Sequence, residues 1–328
     1  MIWVIEIIRI IFYWIEHSKE PGVARMAEQG KVLLEDEVLR DGLQMESRVF
    51  SLAEKIKIFH LLKEAKMQRL QIGSFVHPKL VPQMADTDAL IRQLIQTSDV
   101  LLTGLILNDK GLERALACGL SHVSMSVSAS DTHSRKNANR SADEALAAMT
   151  VLISQAKKAN LKVRAGVQCA FGCVYEGKVP EEKVLAAAQA MALAGADEVN
   201  LADTTGMGNP RQVRSLVRRV RQELSGVDFS LHLHDTRGLG LANMFVGYEE
   251  GVRIFDVCAG GLGGCPFVKG AAGNVPAEDA VHMFEAIGVE TGIDLAKLSK
   301  VVEELESLLD RPLPGRMTRV LRAKGLCS

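Results

Sequence analysis

The chain has 328 residues, 47% hydrophobic and 24% charged, with 39 basic and 40 acidic side chains for a formal net charge of −1. This is a soluble, globular composition with enough chain for one large domain, and it carries no basic excess that would attract nucleic acid wholesale. Six cysteines (Cys118, Cys169, Cys173, Cys258, Cys265 and Cys327) are too scattered for a disulfide framework or a paired zinc motif, so a reducing, cytoplasmic setting is expected.

The first stretch, MIWVIEIIRIIFYWI, is almost wholly apolar but is interrupted by Glu6 and Arg9. It is short for a bilayer span and lacks the basic flank and small-residue cleavage site of a signal peptide. A peripheral helix, an oligomer contact and an upstream start all remain open, so residues 1–30 are expected to be an extension and 31–328 the domain.

From Lys31 onward, short apolar runs alternate with amphipathic stretches. Strands are expected over 32–37, 69–74, 100–107, 122–129, 162–169, 198–203, 229–234 and 253–260. Helical patterns fall between them, over 51–66, 85–96, 108–117, 142–160, 181–194, 210–224 and 238–250, with further helices over 277–287 and 295–309. Ser51 with Glu54, and Ser141 with Glu144, have capping-box spacing. Eight regular βα units imply parallel strands and the size of a (β/α)₈ TIM barrel with a C-terminal helical extension. A doubly wound open sheet would call for GxGxxG after the first strand, where the chain has Arg40-Asp-Gly-Leu-Gln44.

In such a barrel the chemistry collects at the C-terminal ends of the strands. His232 and His234 stand at i and i+2, so on a strand both imidazoles project from one face. An isolated pair of this kind is more often two satisfied histidines than half a metal site. The other strand ends shift the balance. Arg40 and Asp41 follow strand one, Gln71 and Ser74 close strand two, and Asp203 closes strand six. Asn274 follows a glycine-rich loop after strand eight. Asp41, His232, His234 and Asn274 offer carboxylate, imidazole and amide donors suited to Mg²⁺ or Mn²⁺ rather than zinc. Arg40 suits a developing oxyanion, or a salt bridge to Asp36 or Glu37. Asp203 suits proton transfer, a bond to Arg40, or an orienting role. His133, Arg135, Lys136 and Arg140 form a basic run, either solvated or turned toward phosphates. Cys169 and Cys173 are read as structural.

These residues resemble the 3-hydroxy-3-methylglutaryl-CoA lyases of the DRE-TIM metallolyase superfamily. The resemblance rests on LRDGLQMES (39–47), GSFVHPKLVPQMADTD (73–88), KNANRSADEAL (136–146), CAFGCVYEGKV (169–179), LADTTGMGNP (201–210), HLHDTRG (232–238) and GLGGCPFVKGAAGN (261–274). It implies a divalent cation held by Asp41, His232, His234 and Asn274, and retro-Claisen cleavage of an acyl-CoA to acetyl-CoA and a keto acid. It also implies enolate stabilisation by Arg40, proton transfer through Cys265 with His232 and Asp203 in the machinery, and a homodimer or larger assembly.

Two departures mark the chain. The family has glutamate where this chain has Gln71, and commonly an aromatic residue where it has Arg237. With Gln44, these are expected to set substrate preference, and a related substrate such as citramalyl-CoA is the alternative reading. LEDEVLRDG (34–42) also resembles the first strand of isopropylmalate and homocitrate synthases, which run the reverse reaction class. A non-catalytic barrel that only binds metal or acyl-CoA is the third alternative.

Overall fold

A computed structural model describes residues 30–96, 99–224, 226–264 and 273–325. The apolar N-terminal stretch and Cys265 therefore lie outside the described residues. Eight strands form a closed barrel in sequence order: β1 (Leu33–Asp36), β2 (Arg69–Ser74), β3 (Leu101–Leu105), β4 (His122–Ser128), β5 (Lys162–Gln168), β6 (Glu198–Asp203), β7 (Asp228–Leu233) and β8 (Ile254–Val257). All neighbours are parallel, and closure comes from β1 against β8, with Leu33 opposite Ile254 and Asp36 opposite Val257. The expected TIM barrel is the observed fold.

The helices follow in order: α1 (Leu52–Glu64), α2 (Thr87–Leu94), α3 (Asp109–Ala117), α4 (Asp131–Ala138), α5 (Ala142–Lys158), α6 (Glu181–Leu193), α7 (Pro210–Glu223), α8 (Gly240–Glu249), α9 (Ala277–Ala286), α10 (Leu295–Leu309) and α11 (Met317–Ala323). Ser51 and Ser141 both complete capping boxes, so α1 and α5 start where the spacing places them. Helix α8 begins two residues later than expected, because Gly238 is left-handed at φ 71° and the Asp235 carboxylate accepts the Gly240 amide. Among the described residues no helix is long and apolar enough to cross a membrane.

Three local features differ from the sequence reading. Helix α4 carries most of the basic run after β4, where no helix was expected, and buries His133. Helix α11 closes the C-terminal extension. Strand β1 stops at Asp36, and Arg40 and Asp41 lie on a π-helical turn, Val38–Gly42, in which the Gly42 amide reaches back to the Glu37 carbonyl. Such turns often lie at functional sites, because the widened ring re-aims side chains.

The base of the barrel is ionic. Glu35, Arg69, Arg164 and Glu198 are all nearly inaccessible to solvent. Arg69 Nη1 donates to Glu198 (2.6 Å), Arg164 Nη1 donates to Glu35 (2.7 Å), and Arg69 Nε lies 2.6 Å from Glu35. Thr103 adds a hydroxyl to Glu35 at 2.6 Å. Buried charges on this scale persist only when paired and hydrogen-bonded, and here each carboxylate meets a guanidinium.

Candidate active site

The π turn after β1, the end of β7 and the segment after β8 meet above this ionic base. His232 closes on His234 with Nε2 to Nε2 at 2.9 Å, so the same-face projection expected of an i, i+2 pair holds. Asp41, His232 and His234 present ligand atoms that all lie within 4.8 Å of one another. Asn274 pairs with His234 in an isolated bridge and donates its amide to Asp41 at 2.7 Å. Its carbonyl Oδ1 is buried with no partner among the described residues. A buried acceptor without a donor is costly, and a cation is one partner that satisfies it. Gly263, at φ 90°, backs the cluster closely: a Cβ there would meet Asn274 Nδ2 at 2.6 Å and Asp41 Oδ2 at 2.8 Å.

Charge bookkeeping gives an independent test of fit. The column from the base to the cluster holds five carboxylates (Glu35, Glu37, Asp41, Glu198, Asp256) against three guanidiniums (Arg40, Arg69, Arg164). A divalent cation offsets the difference when both histidines are neutral. Without it, protons take up the surplus. Burial and then the Asp256 charge push Glu37 up to about 8. Burial disfavours the His232 imidazolium, but Glu37 and Asp256 outweigh it and bring the pKa up to about 9. Burial, then the neighbouring His232 charge, push His234 down to about 3. Burial opposes the Asp41 carboxylate, yet Arg40 and the histidines hold its pKa below the ordinary range. The donor set and the charge deficit both fit a divalent ion.

Beside this cluster opens a cavity of about 920 Å³, lined by Arg40, Asp41, Gln44, Gln71, His232 and His234 at its inner end. Met45, Leu80 and Leu107 give it an apolar rim, and Lys136, Asn139 and Arg140 bring part of the basic run to its wall. Arg40 pairs with Asp41 and lies 3.4 Å from Glu37 rather than from Asp36. Gln71 donates its amide to Glu37 at 3.0 Å, and its own carbonyl is buried without a partner among the described residues, as is that of Gln44.

Asp203 stands at the end of β6 but bonds backbone, not Arg40: it accepts the amides of Met207 (2.9 Å) and Gly208 (3.0 Å). Burial pushes it up to about 6. Arg237 is exposed and ties the carbonyls of Thr205 and Gly206 at 2.8 and 2.9 Å, away from the cavity wall. Cys169 and Cys173 are buried beside Ser130, whose hydroxyl meets Cys173 Sγ at 3.1 Å. Sequence reasoning offered Glu37 only as a salt-bridge partner for Arg40 and missed Asp256 and Arg164. Asp256 and Arg164 are each the single buried charge on a strand, and the available signal was an ionisable side chain at a position that a barrel turns inward.

The HMGL-like family model matches residues 31–305. An (R)-citramalyl-CoA lyase of Chloroflexus aurantiacus is 41% identical, covering 87% of this chain and 93% of that protein. A hydroxymethylglutaryl-CoA lyase of Bacillus subtilis is 37% identical over 89% of this chain and 98% of its own. The crystal structure of an HMG-CoA lyase from Bacillus subtilis superposes with a TM-score of 0.86 at 37% identity, covering 89% and 98% of the two chains. That of an HMG-CoA lyase from Acinetobacter baumannii, in complex with coenzyme A and 3-methylmalate, gives 0.84 at 36% identity, covering 89% and 96%. With a closed barrel, a matching family model over most of its length and these relatives, the chain belongs to the HMG-CoA lyase-like family of carbon–carbon lyases.

Proposed function

We propose that the protein is a divalent-metal-dependent lyase that cleaves a 3-hydroxy-3-methyl acyl-CoA of the hydroxymethylglutaryl-CoA type to acetyl-CoA and a keto acid. The observation that carries this reading is the convergence of Asp41, His232, His234 and Asn274, with Arg40 beside them, at the inner end of one cavity. These four side chains would hold Mg²⁺ or Mn²⁺. The bound ion supplies Lewis acidity that lowers the pKa of the substrate's C3 hydroxyl and polarises its neighbouring oxygen.

The chain's own residues do the rest. The hydroxyl proton passes to water in the open cavity, the C3–oxygen bond becomes a carbonyl and the C2–C3 bond breaks, with its electron pair passing to the thioester enolate. Arg40 offsets the negative charge that forms on the thioester oxygen, from a position fixed beside the cluster by its pairing with Asp41. Cys265, which lies outside the described residues, is assigned by motif as the thiol that protonates the enolate carbon to give the acetyl methyl group. Asp203 is assigned an orienting role, supported by its two bonds to loop amides. The resemblance also carries a homodimer or larger assembly, which size-exclusion chromatography reads directly.

One observation favours a second substrate in the same class. Gln71 removes a carboxylate from the cavity wall where the family keeps one, and a relative at 41% identity is named a citramalyl-CoA lyase. Citramalyl-CoA carries its free carboxylate on the carbinol carbon itself, and would yield pyruvate. Acetyl-CoA release from hydroxymethylglutaryl-CoA and from citramalyl-CoA, with Mn²⁺ and with EDTA, decides. Cleavage that stops in EDTA is expected, and the better substrate names the acyl group. Metal-independent cleavage, or none of either ester, overturns the reading.

A further inference from the structure

One buried cation has no part in that chemistry. Arg164, on β5, is 5% exposed and lies below the histidines. Its guanidinium meets Asp256 of β8 on one side and Glu35 (2.7 Å) and Glu198 (3.0 Å) on the other. Asp256 in turn faces His232 Nδ1 at 3.0 Å, with Asn200 Nδ2 at 3.4 Å from the same oxygen. The two histidines thus differ. His232 Nδ1 hydrogen-bonds Asp256, with Glu37 farther off at 3.7 Å, and through Asp256 and Arg164 it is tied to the ionic base of the barrel, while His234 Nδ1 has no partner among the described residues.

A neutral imidazole carries its proton on one nitrogen and its lone pair on the other, so whatever accepts at Nδ1 decides what Nε2 can do. We propose that Arg164 and Asp256 are positioning residues: Arg164 fixes the Asp256 carboxylate, which accepts the Nδ1 proton of His232 and keeps the Nε2 lone pair turned toward His234 and Asp41. This rests on the metal-site reading above, and assigns His232 as the pre-set ligand of the pair. The geometry of Arg164 matters as well as its charge. Its fork reaches Glu35 and Asp256 at once, which a lysine ammonium, as a point charge, does not reproduce.

The test uses the full chain, stripped of metal and titrated with Mn²⁺ by calorimetry, as wild type, Asp256→Asn and Arg164→Lys. A histidine-labelled ¹H–¹⁵N spectrum of the Mg²⁺-loaded wild type reads the protonated nitrogen of His232. The expected result is a proton on Nδ1 in the wild type and Mn²⁺ affinity weakened about 10- to 100-fold in Asp256→Asn. Arg164→Lys should show a smaller loss, while both variants keep wild-type circular dichroism. A merely structural ion pair would lower melting temperature and leave the affinity of the folded variants unchanged, and that result overturns the proposal. If Asp256→Asn fails to fold, the wild-type spectrum decides: a His232 proton on Nε2 overturns it. No Mn²⁺ binding by the wild type is a separate outcome, which overturns the metal centre itself and the positioning role with it. Wild-type binding with undiminished Asp256→Asn binding overturns the positioning role alone.

Discussion

Gln71 donates its side-chain amide to Glu37 across 3.0 Å, in the cavity wall beside Arg40 and His232. The pair carries at most one negative charge. Gln71→Glu would set two carboxyls face to face, and two such groups share one proton rather than both ionise. The added carboxyl then has a folded-state pKa above its unfolded value, so its contribution is present at low pH and lost as pH rises through the raised value. In EDTA, the variant should match the wild type near pH 4, at the unfolded glutamate value, and fall behind it by at least about 1.4 kcal/mol, one pKa unit, near pH 9. Denaturant unfolding at the two pH values measures this. A gap that does not widen with pH would show that the two side chains do not meet as described.

Metal binding should displace protons. In the absence of a cation, Glu37 and His232 are raised to about 8 and about 9, so both hold protons at neutral pH. A divalent ion repels these protons and needs the His232 lone pair. Apparent Mn²⁺ affinity should therefore climb from pH 6 to pH 9, and calorimetry at pH 7 in buffers of different ionisation heat should report proton release. Saturating Mn²⁺ should also raise the melting temperature in a concentration-dependent way. Affinity that is flat across this range would contradict the charge account of the site.

The parts of this site that were legible in the sequence are those with a pattern. The βα alternation is periodic, and two histidines at i and i+2 announce a shared face. Arg40 and Asp41 were read at the end of a strand, and they lie instead on a π turn. That turn rests on two i→i+5 bonds, from the Gly42 amide to the Glu37 carbonyl and from the Leu43 amide to the Val38 carbonyl, which leave no periodic trace. Arg164 and Asp256 were illegible for another reason. Each is the one buried charge on its strand, between uncharged neighbours, and acquires meaning only where β5 and β8 face one another across the barrel, with Glu37, a partner of Arg40, above them. Helix α4 escaped notice because it has almost no apolar stripe, its inward face being His133 and Ser134.

Two buried acids near the glycine-rich segment should give the protein an alkaline weakness. Burial pushes Asp36 up to about 7 and Glu278 up to about 8. Both folded values exceed the unfolded ones, so the stability they contribute is complete below about pH 4 and is lost as pH rises through 7 and 8. The two differ in how they tolerate an amide. Glu278 accepts the Gly260 amide with one oxygen and leaves the other unpartnered among the described residues, so Glu278→Gln keeps the bond and should flatten the alkaline loss. Asp36 accepts backbone amides with both oxygens, from Val38 and Ala259 at 2.8 Å each. Asp36→Asn would turn an N–H donor toward another donor, and should destabilise by about 1–3 kcal/mol even at pH 6. Unfolding curves of both variants at pH 6 and 9 check this, and an unchanged pH slope in Glu278→Gln would remove that residue from the account.

Gly263 offers the sharpest separation of site from fold. It is left-handed at φ 90°, and the space where a Cβ would stand is occupied by Asn274 Nδ2 at 2.6 Å and Asp41 Oδ2 at 2.8 Å. Gly263→Ala must therefore move both side chains as well as strain its own backbone, at about 1–3 kcal/mol for the conformation alone. The displaced atoms belong to two of the four proposed metal ligands, whereas the barrel's register lies in strands the substitution does not touch. The expected outcome is a folded protein with wild-type circular dichroism, strongly weakened Mn²⁺ affinity and little acetyl-CoA release. Gly238→Ala is the matched control: Gly238 is also left-handed, at φ 71°, but nothing lies within 4 Å of its Cβ position. It should carry the backbone strain and keep the metal. Equal Mn²⁺ binding by the two variants would mean that the close approach at Gly263 does not shape the cluster.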